Sequence, residues 1–295
     1  PGDISSFNFK PEAFYRQAWT TQTMRARGLF LNTLTNEIVI RAYDKFFNIG
    51  ERRDTELAAL EQTMTFPARA WVKENGFLGL VGYDSAAGGL VIASKSTTEG
   101  DYAAAFRREF LEQFRDKLPH IADYLRRHNA CLLFEVVLPR FDPHIIAYES
   151  DQLVLLDIVK RQVAYEAVDW QERERFAREI GANSKRLAAE FSSWREFAAW
   201  LDQLQGMMYQ WRGEWIEGFV LEDARGHQVK VKLDYYTFWR QMRTALAALQ
   251  AGRQPSTRPD CPDPALAARV IEYMRQLSAE DLARMDIIAL RRRFK

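Results

Sequence analysis

A series of short apolar segments, each bounded by turn residues, runs through the chain up to residue 233 and constrains the fold more than any other feature. Segments of this kind are typical of β-strands. Turn residues at 33–36 and 84–89 predict that the first four of these strands pair as two β-hairpins. The predicted strands are Arg27–Thr33, Glu37–Tyr43, Val72–Tyr83, Gly89–Ser94, Ala130–Leu138, Asp151–Arg161, Gly218–Glu222 and Gln228–Leu233.

Helical periodicity covers the remaining regions. A stripe of Phe106, Phe110, Phe114 and Leu118 marks a helical region at Asp101–Arg127. Further helical regions are predicted at Asp169–Gly206, Tyr236–Gln250, Leu266–Gln276 and Ala279–Arg293, with a proline-rich linker at Pro255–Pro264. The pattern predicts an α+β fold with a mixed domain at residues 1–236 and an all-helical C-terminal domain at residues 237–295.

Composition sets broad limits on the class of protein. Hydrophobic residues make up 47% of the 295 residues, which is enough to bury a sizeable core. Lysines and arginines number 41 against 40 acidic residues, so any nucleic-acid partner would have to bind a local basic groove. Two cysteines without metal-ligand spacing, and the lack of a secretory or membrane-length apolar segment, predict a cytoplasmic protein that makes no use of a membrane.

Charged side chains interrupt the predicted strands or stand at their ends. Each of them alone fits a solvated or ion-paired residue. However, Lys230 and Lys232 are two residues apart and therefore share one face of a strand. Lys73 precedes Glu-Asn-Gly, a sequence that permits a sharp turn and a close approach of the backbone to a ligand. The complete set is Lys73, Lys95, Glu135, Glu217, Lys230 and Lys232.

On a common sheet surface these lysines and carboxylates would converge. Such a cluster suits a triphosphate with its metal ion. It equally suits a lysine nucleophile, because neighbouring cations lower the pKa of an amine. The residues by themselves leave open whether Lys73 is a nucleophile or a solvated turn charge.

The order of these residues resembles the motifs of the covalent nucleotidyltransferase superfamily of ligases and capping enzymes. The matching elements are Lys73-Glu-Asn-Gly76, Phe134-Glu135, Glu217-Gly-Phe-Val220 and Lys230-Val-Lys232. Phage tRNA-repair RNA ligases and fungal tRNA ligases have segments similar to Arg41–Glu51, Leu133–Val136, Pro143–Tyr148 and Lys230–Tyr236. Asn75 in the lysine motif resembles the fungal enzymes. The resemblance covers about residues 25–236. It implies a nucleotidyltransferase domain with ATP-grasp-like antiparallel sheets.

The resemblance implies catalytic roles for four residues. Lys73 would attack the α-phosphate of ATP and form a lysyl-AMP phosphoramidate. Lys230 and Lys232 would hold the α-phosphate as charge develops. Glu217 would organise the metal and ribose side, through a water molecule if it serves the metal. Mg²⁺, or Mn²⁺ in its place, would neutralise the triphosphate.

Further nucleotide-binding roles follow from the same resemblance. Glu135 would hold the ribose, Lys95 would serve the γ-phosphate and later the RNA phosphate, and Asn75 with Gly76 completes the lysine motif. Arg41 would contact nucleotide phosphates or the RNA end, although it could instead pair with Asp44 or Glu51. Lys95 belongs to a loose motif, so an ordinary surface charge is its alternative. Phe134 could flank the adenine or belong to the core.

The function that the resemblance implies is ATP-dependent joining of RNA 5′-phosphate and 3′-OH ends, through lysyl-AMP and AMP-capped RNA, in tRNA repair or splicing. The lack of a strand pattern after Tyr236 argues against the barrel of DNA ligases and capping enzymes. The chain has no Gly-x-x-x-x-Gly-Lys-Ser/Thr loop, so end healing would need either a separate kinase or phosphatase as a partner or a further domain. The alternatives are a DNA-joining or capping nucleotidyltransferase and a non-catalytic RNA- or nucleotide-binding module.

Overall fold

The structure is a computed structural model that describes residues 3–142, 144–256 and 259–294. Pro143, the first residue of the motif segment Pro143–Tyr148, two residues of the predicted linker and Lys295 lie outside the described residues. In chain order, the elements of the first half are β1 (Ile4–Phe7), α1 (Pro11–Tyr15), α2 (Thr21–Arg25), β2 (Leu29–Asn32), β3 (Glu37–Arg41), α3 (Leu57–Thr63), β4 (Ala68–Lys73), β5 (Phe77–Asp84), β6 (Gly89–Ser94), α4 (Asp101–Gln113), α5 (Leu118–His128) and β7 (Ala130–Val137). Those of the second half are β8 (Gln152–Lys160), α6 (Trp170–Ile180), β9 (Asn183–Ser184), β10 (Leu187–Phe191), α7 (Trp194–Asp202), β11 (Gly218–Glu222), β12 (Gln228–Lys232), α8 (Asp234–Gln250), α9 (Pro264–Gln276), α10 (Ala279–Arg284) and α11 (Ile287–Arg293).

The chain divides into two compact units, each assembled from three chain segments. The first unit takes the described residues of Pro1–Phe46, Gly76–Val137 and Gln152–Lys185, and the second those of Phe47–Asn75, Leu138–Asp151 and Arg186–Lys295. The predicted boundary between residues 236 and 237 concerns a different division, and it stays a prediction.

The first unit contains two sheets, with strand orders β1-β2-β3 and β6-β5-β7-β8-β9 among its described residues. Both predicted hairpins are present, because β2 pairs with β3 and β5 pairs with β6 in antiparallel register. The β2–β3 turn places Asn36 at a φ of 58°, a left-handed conformation that asparagine tolerates. Apolar side chains from both sheets, among them Phe30, Leu80 and Leu133, share one buried cluster.

The phenylalanine stripe of the first unit packs against β7. Phe106, Phe110 and Phe114 are completely buried, and each ring centroid lies 5.8–5.9 Å from that of Phe134. A 3₁₀ turn interrupts the predicted helical region and separates α4 from α5. Pro119, in the first turn of α5, lacks the amide hydrogen that a continuous helix would need there, so the region forms two helices.

The second unit contains one sheet among its described residues, with strand order β10-β4-β11-β12 and antiparallel pairing throughout. Strand β10 corrects the prediction that Asp169–Gly206 is largely helical. Its sequence, Leu-Ala-Ala-Glu-Phe, is rich in helix formers, but pairing with β4 outweighs that weak local preference. The predicted strand Val72–Tyr83 is also corrected, since it divides into β4 and β5, which belong to different sheets.

The C-terminal helices surround a second apolar cluster of this unit, in which Phe238, Met242 and Leu290 are completely buried. The predicted helix Ala279–Arg293 is two helices, because Met285 is extended and the Asp286 side chain caps α11 by accepting a hydrogen bond from the Ala289 amide. Within 234–256 and 259–294 the regular elements are helices, as predicted. No helix in the described part of the chain is long and apolar enough to cross a membrane.

Candidate active site

Strand register in the second unit brings the predicted lysines to one glycine. Gly218 is the register partner of Lys73 in β4 and of Lys232 in β12. Glu217, the residue before Gly218, places its carboxylate between the two ammonium groups. The Lys73 Nζ lies 3.1 Å from one Glu217 oxygen, and the Lys232 Nζ lies 3.7 Å from the other. Three residues that are far apart in sequence therefore form one charged cluster.

Gly218 is required by the close approach of β11 to β12. Its φ is +152°, and a Cβ atom at this position would lie 2.0 Å from the Val231 carbonyl oxygen. A side chain here would push β11 away from β12, the strand that carries Lys232. The glycine is thus a structural condition for the cluster, rather than a point of ligand approach.

The Glu217 side chain is only 5% exposed, yet its charge is well matched. In addition to the two lysines, Asn75 donates to it from Nδ2 at 3.1 Å. The Asn75 Oδ1 in turn accepts a hydrogen bond from the Ile146 amide. A buried carboxylate needs such donors, because an unpaired charge away from water is costly. Asn75 therefore acts as a support for Glu217, a role that the lysine motif alone did not indicate.

Burial and neighbouring charges shape the titration of this cluster. Desolvation lowers the pKa of Lys232, with Arg240 and Lys73 acting in the same direction and Glu217 opposing them. The Lys232 ammonium lies 5.2 Å from the centre of the Tyr236 ring. Burial, assisted by the Glu217 charge, raises the pKa of the Tyr236 hydroxyl to about 12. The site therefore holds partly dehydrated cations of the kind that bind a phosphate strongly.

Lys230 lies on the same face of β12 as Lys232, as their spacing predicted. Val229 and Val231 point to the opposite face and are buried in the core. The backbone of Lys230 also pairs outward: its amide donates to the Phe47 carbonyl at 2.9 Å, and its carbonyl accepts from the Ile49 amide at 3.0 Å. The later part of the Arg41–Glu51 segment thus supports the strand that carries the two lysines.

A second set of contacts holds the Lys73-Glu-Asn-Gly76 motif and was not found from the sequence. The Tyr148 hydroxyl accepts a hydrogen bond from the backbone amide of Asn75 at 2.6 Å and lies 3.2 Å from a Glu74 carboxylate oxygen. Arg186 donates to the other Glu74 oxygen at 2.9 Å. Glu74 is buried and these contacts neutralise it. No local signal links Arg186 to the motif, because 112 residues separate it from Glu74.

In the first unit, Glu135 accepts a hydrogen bond from the Gly76 amide at 2.9 Å. A Cβ atom on Gly76 would lie 2.2 Å from the Val136 carbonyl oxygen of β7. The predicted close approach at Gly76 therefore exists, but the group that it approaches is a strand of the protein. Glu135 itself is buried in β7, and its carboxylate accepts this hydrogen bond from the Gly76 backbone.

Arg27 joins Glu135 and Lys95 in the first unit, and the sequence reasoning missed it. Burial lowers the pKa of Arg27, while the charge of Glu135 opposes this. Its buried Nη1 has no hydrogen-bond partner among the described residues. Lys95 is exposed just after β6, and partial desolvation together with the Arg27 charge lowers its pKa. The available signal was a charged residue opening a predicted strand directly before a glycine.

Two predicted nucleotide-binding residues lie in other surroundings. Arg41 has no exposed surface, pairs with Asp44 and donates to the Ala42 carbonyl at 2.6 Å. It is therefore a buried structural ion pair, and its predicted contact with phosphates finds no support in this arrangement. Phe134 is completely buried among the phenylalanines of α4, which agrees with the core alternative rather than with adenine binding.

The residues present do not form a protein cage for a metal ion. Among the described residues no group of three His, Cys, Asp or Glu side chains could hold one. Both Glu217 oxygens face ammonium groups, which disfavours direct ligation. Mg²⁺ commonly keeps several waters and is held largely by substrate phosphates. Any metal role for Glu217 would thus pass through water.

The antiparallel sheets define a nucleotidyltransferase fold of the kind found in ATP-dependent ligases. An archaeal ATP-dependent RNA ligase structure (form 2) superposes with a TM-score of 0.54 at 16% identity, covering 86% of this chain and 63% of that one. The family model for RNA ligase matches residues 25–236, and the chain belongs to this family. The predicted resemblance and the predicted fold class are both confirmed.

Curated relatives point in the same direction. A tRNA ligase of Candida albicans is 28% identical over 186 residues, which is 54% of this chain and 22% of that protein. The tRNA ligase 1 of Schizosaccharomyces pombe is 26% identical over 263 residues, which is 80% of this chain and 33% of that protein. The chain thus spans about a fifth to a third of the length of these relatives.

Proposed function

We propose that this chain is an ATP-dependent RNA ligase in which Lys73 is the nucleophile. The observation that carries the proposal is the cluster of Lys73, Glu217 and Lys232, in which a lysine at a strand end is held by a buried carboxylate beside a second, partly desolvated lysine. This arrangement differs from a solvated turn charge, which would need no such partners. Membership of the RNA ligase family agrees with this role.

Three nucleotidyl-transfer steps follow from this assignment. The Lys73 amine attacks the α-phosphorus of ATP, so a P–N bond forms, pyrophosphate leaves and the amine proton passes to solvent. A 5′-phosphate oxygen of RNA then attacks the same phosphorus and releases Lys73. Finally an RNA 3′-hydroxyl attacks the 5′-phosphate, the RNA strands are joined, and AMP leaves with the bridging oxygen.

The residues around Lys73 act by position and charge. Glu217 orients the Lys73 side chain toward the reacting phosphorus through the contact at 3.1 Å. Lys232 and Lys230, on one strand face, stabilise the negative charge that builds up on the α-phosphate. The hydrogen bonds of Asn75 and Tyr148 keep the motif in place before substrate arrives.

Further substrate-binding roles are proposed for charged residues of the first unit. Glu135 is proposed to bind the ribose. Lys95 and Arg27 are proposed to bind phosphate, because the unpartnered Arg27 nitrogen and an exposed lysine beside it form an anion site. Lys95 would serve the γ-phosphate first and the RNA phosphate afterwards, as the family resemblance implies.

Finer features of the function are proposals of the same kind. The substrates are RNA 5′-phosphate and 3′-OH ends, with tRNA ends as candidates because two relatives are named tRNA ligases. Mg²⁺ or Mn²⁺ would enter with ATP. A separate kinase or phosphatase would heal damaged ends, the reaction would take place in the cytoplasm, and the helices from residue 237 onward would contribute to RNA recognition.

The test is covalent labelling with ATP that carries the label at the α-phosphate. The protein is first freed of bound AMP with pyrophosphate, then incubated with labelled ATP and Mg²⁺ and run on a denaturing gel. We expect a labelled band from wild type and from Lys160→Ala, another lysine at a strand end, but none from Lys73→Ala or from γ-labelled ATP.

Two outcomes would oppose the proposal. A wild-type chain that binds ATP but takes no label would be a non-catalytic binding module. A chain that takes label but seals nicked DNA in preference to single-stranded RNA, or accepts GTP in place of ATP, would be a DNA-joining or capping enzyme. Mapping of the labelled peptide to the segment that contains Lys73 completes the assignment.

A further inference from the structure

Five aromatic residues are concentrated between residues 7 and 19 of the first unit. Three of them, Phe7, Phe14 and Tyr15, expose 45%, 44% and 81% of their surface. The contacts among the rings are edge-to-face, with Phe9 and Phe14 meeting Trp19 at centroid distances of 4.9 and 6.5 Å. In an edge-to-face pair only one face of one ring is covered by its neighbour. Large exposed aromatic groups of this kind mark an interaction site more often than an ordinary surface.

The same part of the chain is basic. Residues 7–27 contain four cations, Lys10, Arg16, Arg25 and Arg27, against the single carboxylate of Glu12, whereas the whole chain has a net charge of only +1. The Lys45 ammonium lies 5.4 Å from the centre of the Trp19 ring and adds a further cation. Aromatic side chains interleaved with cations are the features that bind single-stranded nucleic acid without base pairing.

This aromatic and basic surface adjoins the phosphate-binding residues proposed for the first unit. The Phe9 amide donates to the Ala26 carbonyl at 2.8 Å, directly before Arg27. The Lys45 amide donates to the Met24 carbonyl at 2.8 Å. On the other side of Arg27, a Cβ atom placed on Gly28 would lie 3.7 Å from the Lys95 carbonyl oxygen. An RNA strand whose terminal phosphate reached Arg27 and Lys95 would therefore have its neighbouring bases close to these aromatic rings.

We propose that residues 7–19 together with Lys45, here called the N-terminal aromatic surface, bind unpaired bases next to the RNA end that is joined. The inference rests on the proposed ligase function and adds a subsite to it. Single-stranded RNA fits better than an apolar protein segment, because each nucleotide offers one ring to stack and one phosphate for a cation. Double-stranded RNA hides its base faces and should bind this surface weakly.

The test measures binding of a short 5′-phosphorylated oligoadenylate, fluorescently labelled at its 3′ end, to the full chain by anisotropy. Tyr15→Ala should weaken binding by at least about fivefold, the smaller end of the loss expected for one stacked base. Tyr15→Phe should restore wild-type binding, since it keeps the ring. Tyr15→Leu should not, since it keeps only the apolar surface. Tyr102→Ala, which removes an exposed tyrosine of the same unit, is the matched control and should bind normally.

Lysyl-AMP formation needs no RNA and is measured for each variant, so the two proposals can fail separately. Absence of label in wild type would contradict the proposed ligase function, whatever RNA affinity the anisotropy measures. Normal labelling with equal RNA affinity in wild type and Tyr15→Ala would overturn the aromatic surface alone. Full binding by Tyr15→Leu, or equal affinity for duplex and single-stranded RNA, would also overturn it. So would a wild-type dimer in sedimentation that Tyr15→Ala abolishes, because a second copy of the chain would then be the occupant of this surface.

Discussion

Lys73 and Lys95 both stand at the C-terminal end of a strand, but their surroundings in the structure differ. Lys73 is the last residue of β4, and Lys95 is the first residue after β6. The Lys73 ammonium lies 3.1 Å from the buried Glu217 carboxylate, and its side chain is 21% exposed. Lys95 is exposed, and the neighbouring charge that shifts its pKa is another cation, Arg27.

The difference shows what turns a strand-end lysine into a positioned group. Cross-strand register gives Lys73 a carboxylate that fixes the direction of its amine, as a nucleophile requires. Lys95 and Arg27 repel each other until an anion lies between them, as a phosphate site requires. In the proposed function, Lys73 would attack the nucleotide and Lys95 would bind phosphate.

Replacing each lysine by arginine should give the largest contrast. Lys73→Arg should lower lysyl-AMP formation by at least about a thousandfold, because a guanidinium keeps its proton and cannot attack phosphorus. Lys95→Arg keeps the cation and should retain most of the label. Single-turnover labelling with α-labelled ATP measures both variants. Strong labelling of Lys73→Arg would mean that another residue is the nucleophile.

Removing the Glu217 charge should bring Lys73 closer to the behaviour of Lys95. Glu217→Gln keeps the shape but leaves two lysines without their common carboxylate, and the rate of lysyl-AMP formation should fall by about a hundredfold. Glu190→Gln, which breaks an exposed ion pair with Arg69 in the same unit, is the control and should change little. Equal rates for the two variants would contradict the role given to Glu217.

Gly218→Ala tests whether register places the lysines. The clash with the Val231 carbonyl should lower the free energy of unfolding by about 1–3 kcal/mol and should reduce labelling as well. Gly89→Ala is the control, since no atom lies within 4 Å of the added Cβ and the backbone is not left-handed there. Urea denaturation and the labelling rate are the readouts. A stable and active Gly218→Ala protein would show that the strands can move apart without cost.

Tyr148→Phe removes one support of the lysine motif and should have a smaller effect. The hydrogen bonds to the Asn75 amide and to Glu74 are lost, and the rate of lysyl-AMP formation should fall by roughly tenfold. Tyr102→Phe, outside these contacts, should behave as wild type. If Tyr148→Phe changed only the affinity for ATP, the hydroxyl would act on binding and not on the position of Lys73.

The two cysteines should give the smallest effect, a difference in alkylation with no change in activity. Burial raises the pKa of the Cys131 thiol to about 12, so the folded protein keeps it protonated at mildly alkaline pH. The half-buried Cys261 should react with iodoacetamide first, and Cys131 only after unfolding. Mass spectrometry identifies the modified residue. Above the ordinary thiol pKa, Cys131 should lower stability, because the unfolded chain releases that proton more readily.

Much of the fold could be predicted because local signals were strong. Alternating apolar residues and turn residues marked both hairpins of the first unit, and helical periodicity marked α4 and α8. The exceptions are places where tertiary contacts decide. Strand β10 has a helix-forming sequence and becomes a strand by pairing with β4. Met285 ends α10, and Asp286 begins α11 through a cap that periodicity does not reveal.

The candidate site divides in the same way. The residues that the structure brings together, Lys73, Glu217 and Lys232, stood out as charges at strand positions. Arg41 was assigned from the family resemblance, but in the folded protein it is a buried partner of Asp44. Arg186 gave no signal, since its partner Glu74 is 112 residues away. The proposed roles of these residues stay predictions until the labelling experiments are done.

By itself, the sequence determined the family, the order of strands and helices and the charged residues that could carry chemistry. Spacing, periodicity and motif order are local properties of a chain, and these features depend on them. Only the tertiary structure decided which charges meet. The Lys73 ammonium lies 3.1 Å from the Glu217 carboxylate because of the register between β4 and β11, and separation along the chain does not set that distance. The same reason explains why Gly218 and Tyr148 matter, since their effects act through neighbours that are remote in sequence.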